Sequence, residues 1–334
     1  MKKVELGQFF TKKDIWLKPQ VKEFIIKSDK TTAYDPFAGS GDLLNVAKTL
    51  GFEKTFGLDI DNTLTWQQND SLIKIPTLSN AIIITNPPYL AKQSATRKKF
   101  DLSKYFSSSQ YNDLYLIALD RMLEAQSHVV AIIPESFINS NYHQKNLLSS
   151  ITILEENPFT DTDCPVCVAC FDSRPKPLTE VKVYKNQTYI NTLKNIENLR
   201  LNPKNDVNII FNDKQGWLGL RAIDSTNDIN FIQFSHKHEI NYDFNNKIKE
   251  SSRHITLINI PIPSNKQQAL IDTSNKLINK LRQDSADVLL TPFKGNTKKG
   301  IRRRRLDFRL ARAILEQSYH SIMKDTPNEQ FNLF

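Results

Sequence analysis

Short apolar runs bounded by turns alternate, through the first half of the chain, with stretches whose apolar residues recur at helical spacing. AIIIT (81–85) and HVVAIIP (128–134) are continuous and β-branched, the pattern of strands buried on both faces. TTAYD (31–35) and TFGLD (55–59) read as shorter strands, each ending in an acid. LLNVAKTL and LYLIALDRMLEA (114–125) carry helical periodicity. ITILEE and VCVACF are two further strands close enough together to form a hairpin. Strands alternating with helices predict an α/β fold, a doubly wound parallel sheet. Ligands of such sheets sit beyond the carboxyl ends of the strands. The two acids, the Gly-rich DPFAGSGD and the Asn86-Pro87-Pro88-Tyr89 that follows AIIIT all fall at such ends, so they should converge.

The pattern weakens after Asp172. SRPKPLTE (173–180) reads as a linker, which sets an expected domain boundary at 172/173. The remainder, 173–334, is rich in Asn and Lys and mixes short apolar segments without a repeat. Its end, KKGIRRRRLDFRLARAILEQ, reads as a basic helix.

Composition narrows the class. Of 334 residues, 39% are hydrophobic and 24% charged, as in a soluble globular protein, and no apolar run approaches a membrane span. The N-terminus MKKVELGQFF lacks the apolar core of a signal peptide, and three cysteines suit a reducing compartment, so a cytoplasmic location is expected. A net charge of +9 favours anionic partners, nucleic acid first. CPVCVAC spaces Cys164, Cys167 and Cys170 by three, but a metal site would want a fourth ligand, so no metal is expected.

The chemistry-bearing positions are few. Two consecutive prolines fix two φ angles and remove two backbone donors, so Asn86 to Tyr89 form a rigid extended segment. The Asn86 side-chain oxygen and the held carbonyl of Pro87 can both accept from one amino group, and Tyr89 offers an aromatic face to a planar ring. Such a ring, bearing an amino group, is a nucleobase. Gly39 and Gly41 make a tight turn in which the backbone can approach a ligand closely. Asp59 ends its strand some twenty residues later, where an acid can accept from ribose hydroxyls, though a turn or N-cap role is open to it and to Asp70.

In order, GQFFT, DPFAGSGD, LDID, ND and NPPY resemble the S-adenosylmethionine-dependent DNA methyltransferases that modify exocyclic amino groups, and more narrowly the adenine-N6 enzymes of restriction-modification systems in the gamma arrangement. The resemblance covers about residues 1–171. It implies a seven-stranded Rossmann-like sheet with one reversed strand, in a catalytic domain over 1–172, and a smaller target-recognition domain over 173–334. It implies that Thr11 of GQFFT, with Asp35, Phe37, Ala38, Gly39 and Gly41, lines the methionine end of the cofactor. Asp59 would bind the ribose, Ile60 would pack on the adenine and Asp70 would accept from its amino group. Asn86, Pro87, Pro88 and Tyr89 would be catalytic. Phe159, in ENPFTDTD, would join Tyr89 in stacking on a flipped base, unless it is an ordinary core phenylalanine.

Double-stranded DNA is then the expected partner, with a separate endonuclease of the same specificity, and the chain a monomer. Arg302, Arg303, Arg304 and Arg305, with Arg309 and Arg312, are expected to form a basic face on DNA phosphates. The polar segment 91–113 reads as a DNA-contacting loop or a solvated connection. Cytosine-N4, RNA or protein-glutamine methylation uses a similar cradle, and a nucleic-acid-binding protein on an inactive methyltransferase fold is the non-enzymatic alternative.

Overall fold

The computed structural model describes residues 14–227 and 231–324. Thr11 and the rest of GQFFT lie outside the described residues. The chain divides into two compact units, 1–195 and 196–334.

The first unit is built on one sheet. Its strands are β1 (Thr32–Asp35), β2 (Lys54–Asp59), β3 (Gln67–Gln68), β4 (Ala81–Thr85), β5 (His128–Pro134), β6 (Leu148–Ile153), β7 (Val166–Asp172), β8 (Lys182–Lys185) and β9 (Thr188–Thr192). They lie in the order β3-β2-β1-β4-β5-β7-β6-β8-β9. Strands β3, β2, β1, β4 and β5 pair in parallel, while β7 runs antiparallel to both β5 and β6. The reversed strand is thus present, but among the described residues the sheet has nine strands rather than the expected seven. Strands β8 and β9 extend it past Asp172, so the boundary expected at 172/173 falls inside the sheet. The short hairpin turn between them uses Asn186 at φ 51°, a conformation Asn tolerates.

Every residue of β4 and of β7 is buried. Helices α1 (Pro19–Lys27), α2 (Asp42–Thr49) and α3 (Leu114–Ala125) supply apolar faces. Trp16, Val21, Leu44, Ile82, Ile84, Val130 and Ile132 belong to one continuous core. Each such side chain withdrawn from water stabilises the fold by about 1.5–3 kcal/mol. On β7, Cys167 and Cys170 are three residues apart and so face opposite sides of the sheet. Both are free thiols, and burial pushes the Cys170 thiol up to about 12.

The second unit holds an antiparallel sheet of β10 (Ile210–Phe211), β11 (Leu218–Arg221), β12 (Gln233–His236) and β13 (Ile255–Asn259), in the order β10-β13-β11-β12. Helix α4 (Gln267–Asp284) packs on β12 and against α5 (Phe308–Lys324). A two-stranded ribbon of β14 (Thr291–Asn296) and β15 (Arg302–Arg305) lies between these helices in sequence. The basic segment is therefore a strand first, and its helix starts only at Phe308. Among the described residues no helix is long and apolar enough to cross a membrane.

Candidate functional site

The parallel strands deliver their acids to one edge. Asp35 closes β1 and is 1% exposed; its Oδ1 accepts from the Thr85 hydroxyl at 2.5 Å and from the Phe37 amide at 3.0 Å. The end of β1 is thereby tied to the end of β4, where Asn86 begins. Asp59 closes β2 and is 5% exposed; its Oδ2 accepts from the Gly39 amide at 2.8 Å and its Oδ1 from the Asp61 amide at 3.0 Å. The Gly-rich turn is thus pinned to the second strand. The parallel register of β2 and β3 continues as a 2.8 Å bond from the Asn69 amide to the Asp59 carbonyl, which sets Asp70 beside Asp59.

Phe37, Asp59, Ile60, Asp70, Leu72 and Pro88 line one cleft. Its cavity is about 20 Å³. Asp70 Oδ2 accepts from Lys104 Nζ at 2.8 Å and from the Tyr105 hydroxyl at 2.9 Å. Its Oδ1 is buried and has no partner among the described residues. Hydrogen bonds to Asp70 and Tyr105 hold the Lys104 ammonium above the usual lysine range. Apolar walls, two carboxylates and one unsatisfied buried oxygen fit an amino-bearing nucleoside.

Asn86 is 5% exposed. The Tyr89 hydroxyl is within hydrogen-bonding reach of Asn86 Oδ1 and, at 2.7 Å, of the Ile132 carbonyl on β5. It carries one proton, so it donates to one of them at a time. Burial raises the Tyr89 phenol well above its ordinary value, and the residue is partly buried against the core. The ring meets Phe159 edge-on, with centroids 6.1 Å apart at 63°. Phe159 is 2% exposed and part of the core, so in this conformation it braces Tyr89 and presents no face of its own.

Trp66 had no signal in the sequence. Its indole N–H donates to the Gly39 carbonyl at 2.8 Å. A Cβ on Gly41 would lie 2.7 Å from the same ring, and Gly41 sits at φ 81° as it starts α2. Gly41 is therefore required by the turn and by Trp66. The segment after the motif, expected as a loop, folds into the short helices Lys92–Arg97 and Ser103–Phe106.

The arginine run departs furthest from expectation. Along β15 burial alternates, leaving Arg302 3% and Arg304 1% exposed, so neither offers its side chain to a phosphate. Arg303 Nε donates to the Asp224 carbonyl at 2.8 Å, and its guanidinium stacks over Phe293. Arg312 donates to the Ile209 carbonyl at 2.6 Å. Arg309 is exposed and lies 3.1 Å from the Asn202 side-chain oxygen.

Residues 48–161, about a third of the chain, match the family model described as Eco57I restriction-modification methylase. That stretch contains Asp59, Asp70, Asn86 to Tyr89 and Phe159. No curated protein matches the chain. Among solved structures, the chain is similar to the methyltransferase subunit of a type I restriction-modification system from Streptococcus thermophilus, at 19% identity over 57% of this chain and 52% of that one, with a TM-score of 0.40. A protein from Listeria monocytogenes described as a class I S-adenosylmethionine-dependent methyltransferase is 15% identical over 51% of this chain and 64% of its own, with a TM-score of 0.38. The M protein of the type I restriction enzyme EcoKI is 9% identical over 96% of this chain and 71% of its own, with a TM-score of 0.39. The chain thus spans less than two thirds of the first two relatives.

Proposed function

We propose that the chain is an S-adenosylmethionine-dependent methyltransferase of the restriction-modification type, acting on the N6 amino group of adenine in double-stranded DNA. The observation that carries this reading is the meeting of Asp59, Asp70 and Pro88 in one cleft beyond the ends of the parallel strands. The match of 48–161 to a restriction-modification methylase family supports it.

Bound here, the cofactor would supply a methyl group activated on a sulfonium, the carbon–sulfur bond breaking to leave a neutral thioether as the methyl passes to the amino nitrogen. Asp59 binds the ribose, Ile60 and Phe37 flank the adenine, and Asp70 accepts from its amino group. Asp35 and the turn carrying Ala38 and Gly39 shape the methionine end, with Thr11 assigned by motif alone. Asn86 Oδ1 and the Pro87 carbonyl accept the two hydrogens of the target amino group. They orient its nitrogen and favour the positive charge that develops as it forms the new bond. The proton then leaves to solvent. Tyr89 does two jobs: its hydroxyl steadies Asn86 and its ring stacks on the base. That base leaves the duplex at a cost of a few kcal/mol, offset by these contacts. Residues beyond the sheet, with Arg309 among the exposed cations, meet the DNA. The matching endonuclease is a separate chain, and the enzyme acts as a monomer because each strand can be modified in its own event.

Labelled cofactor incubated with unmethylated bacterial DNA, followed by nucleoside mass spectrometry, tests this. N6-methyladenine is expected. N4-methylcytosine would move the target base within the same cradle. Label on RNA or protein would overturn the DNA assignment, and absence of cofactor binding would overturn the enzyme.

A further inference from the structure

The Asp70 carboxylate is divided between two environments. Oδ2 faces Lys104 and Tyr105 at 2.8 and 2.9 Å, and the Lys104 ammonium also sits 4.5 Å from the centre of the Tyr105 ring. Oδ1 is buried without a partner among the described residues, and Asp70 lines the cleft shared with Asp59 and Ile60. A buried acceptor left unmade is costly, so its retention needs a reason. Lys104 and Tyr105 are more than thirty residues away in sequence and come from the segment that follows Asn86-Pro87-Pro88-Tyr89. They sit on an anchored turn: Asp101 Oδ1 accepts from the Ser103 amide and hydroxyl, and Leu102 and Tyr105 are each 3% exposed.

We infer that Lys104 and Tyr105 are positioning residues that select a 6-amino purine in the cofactor by fixing the orientation of the Asp70 carboxylate, so that one oxygen with no donor on it faces the cleft. This rests on the cofactor reading above. A carboxylate rotates freely about its last torsion unless held, because that torsion has only a broad, two-fold preference. With both donors on Oδ2, Oδ1 is committed to the cleft as an acceptor. It meets the amino hydrogen of adenine and repels the carbonyl oxygen of a 6-oxo purine. The same pair ties the segment after the catalytic motif to the cofactor cleft.

The test compares S-adenosyl-L-homocysteine with its inosine counterpart by calorimetry on the full chain. The wild type should favour the adenine ligand by about tenfold or more, because a site built for a hydrogen bond rejects a ligand that cannot make it. Tyr105→Phe keeps the buried ring and removes only the hydroxyl, and Lys104→Met keeps the stem. Each should cut the ratio at least about threefold, chiefly by weakening the adenine ligand, and the double variant should bring it near one. Ratios unchanged in all three variants, even with both affinities lowered, would make the pair ordinary packing and overturn the inference. A wild type that binds both ligands equally would overturn it alone. A wild type that binds neither would overturn the cofactor reading and this inference together.

Discussion

Asp59 in the first unit and Asp224 in the second are both buried aspartates, 5% and 3% exposed, and both accept backbone N–H bonds. Their company differs. Asp224 receives the Arg282 guanidinium in bidentate fashion at 2.8 and 3.0 Å, with the Arg304 amide at 3.0 Å. Arg282 in turn meets Asp287 at 2.6 Å. Asp59 has only neutral amides on its carboxylate among the described residues, and it lines a cleft. An acid already matched by a fixed cation is finished architecture. An acid left with amides beside a cleft, next to an Asp70 oxygen with no partner, keeps acceptor capacity for a ligand.

Removing Asp224 should give the largest effect. Asp224→Ala leaves the largely buried Arg282 guanidinium with Asp287 alone and takes the acceptor from the Arg304 and Ile232 amides, and breaking such a buried network costs about 3–5 kcal/mol. Urea unfolding should show that loss. A stability within about 1 kcal/mol of wild type would mean that Asp287 alone satisfies Arg282, and the contrast with Asp59 would weaken. Asn86→Ala should act on turnover instead. It removes one acceptor of the proposed amino cradle and should lower methyl transfer about 10²–10³-fold, or about 2.7–4 kcal/mol. Cofactor affinity should hold within about threefold. Loss of folding in circular dichroism would instead make Asn86 a structural residue that holds Tyr89 in place.

The same contrast separates what was readable in the chain from what was not. HVVAIIP is a continuous β-branched run and LYLIALDRMLEA carries helical spacing, and β5 and α3 occupy those spans. Acids at strand ends were legible because a parallel sheet sends successive strand ends to one edge. The arginine run was not. Four identical residues carry no period, so the alternating burial of Arg302 and Arg304 left no trace in the sequence. KVYKNQTYINT did carry a signal, two short apolar-aromatic runs around a polar turn, hidden by the Asn-rich surroundings. Trp66 was illegible for another reason: its contact with Gly39 joins positions 27 apart, and no local pattern encodes such a pairing.

The smallest effect sharpens the comparison from the edge opposite the cleft. His128 starts β5, and burial, reinforced by Lys30, lowers its pKa below the ordinary 6.5. The folded state therefore binds a proton there less readily than the unfolded chain does. Where the unfolded state holds more protons, stability rises with pH, so His128 costs nothing above about pH 6.5 and destabilises progressively below it. His128→Gln removes that term. The difference between variant and wild-type stability should be flat from pH 8 to about 7 and should move in the variant's favour as pH falls through 6. Other groups also titrate, but they cancel in the difference. A difference independent of pH would mean that the imidazole stays as well solvated in the fold as in the unfolded chain. The acid limb would then belong to carboxylates such as Asp172, whose pKa is lowered because Lys176 and Arg174 outweigh its burial.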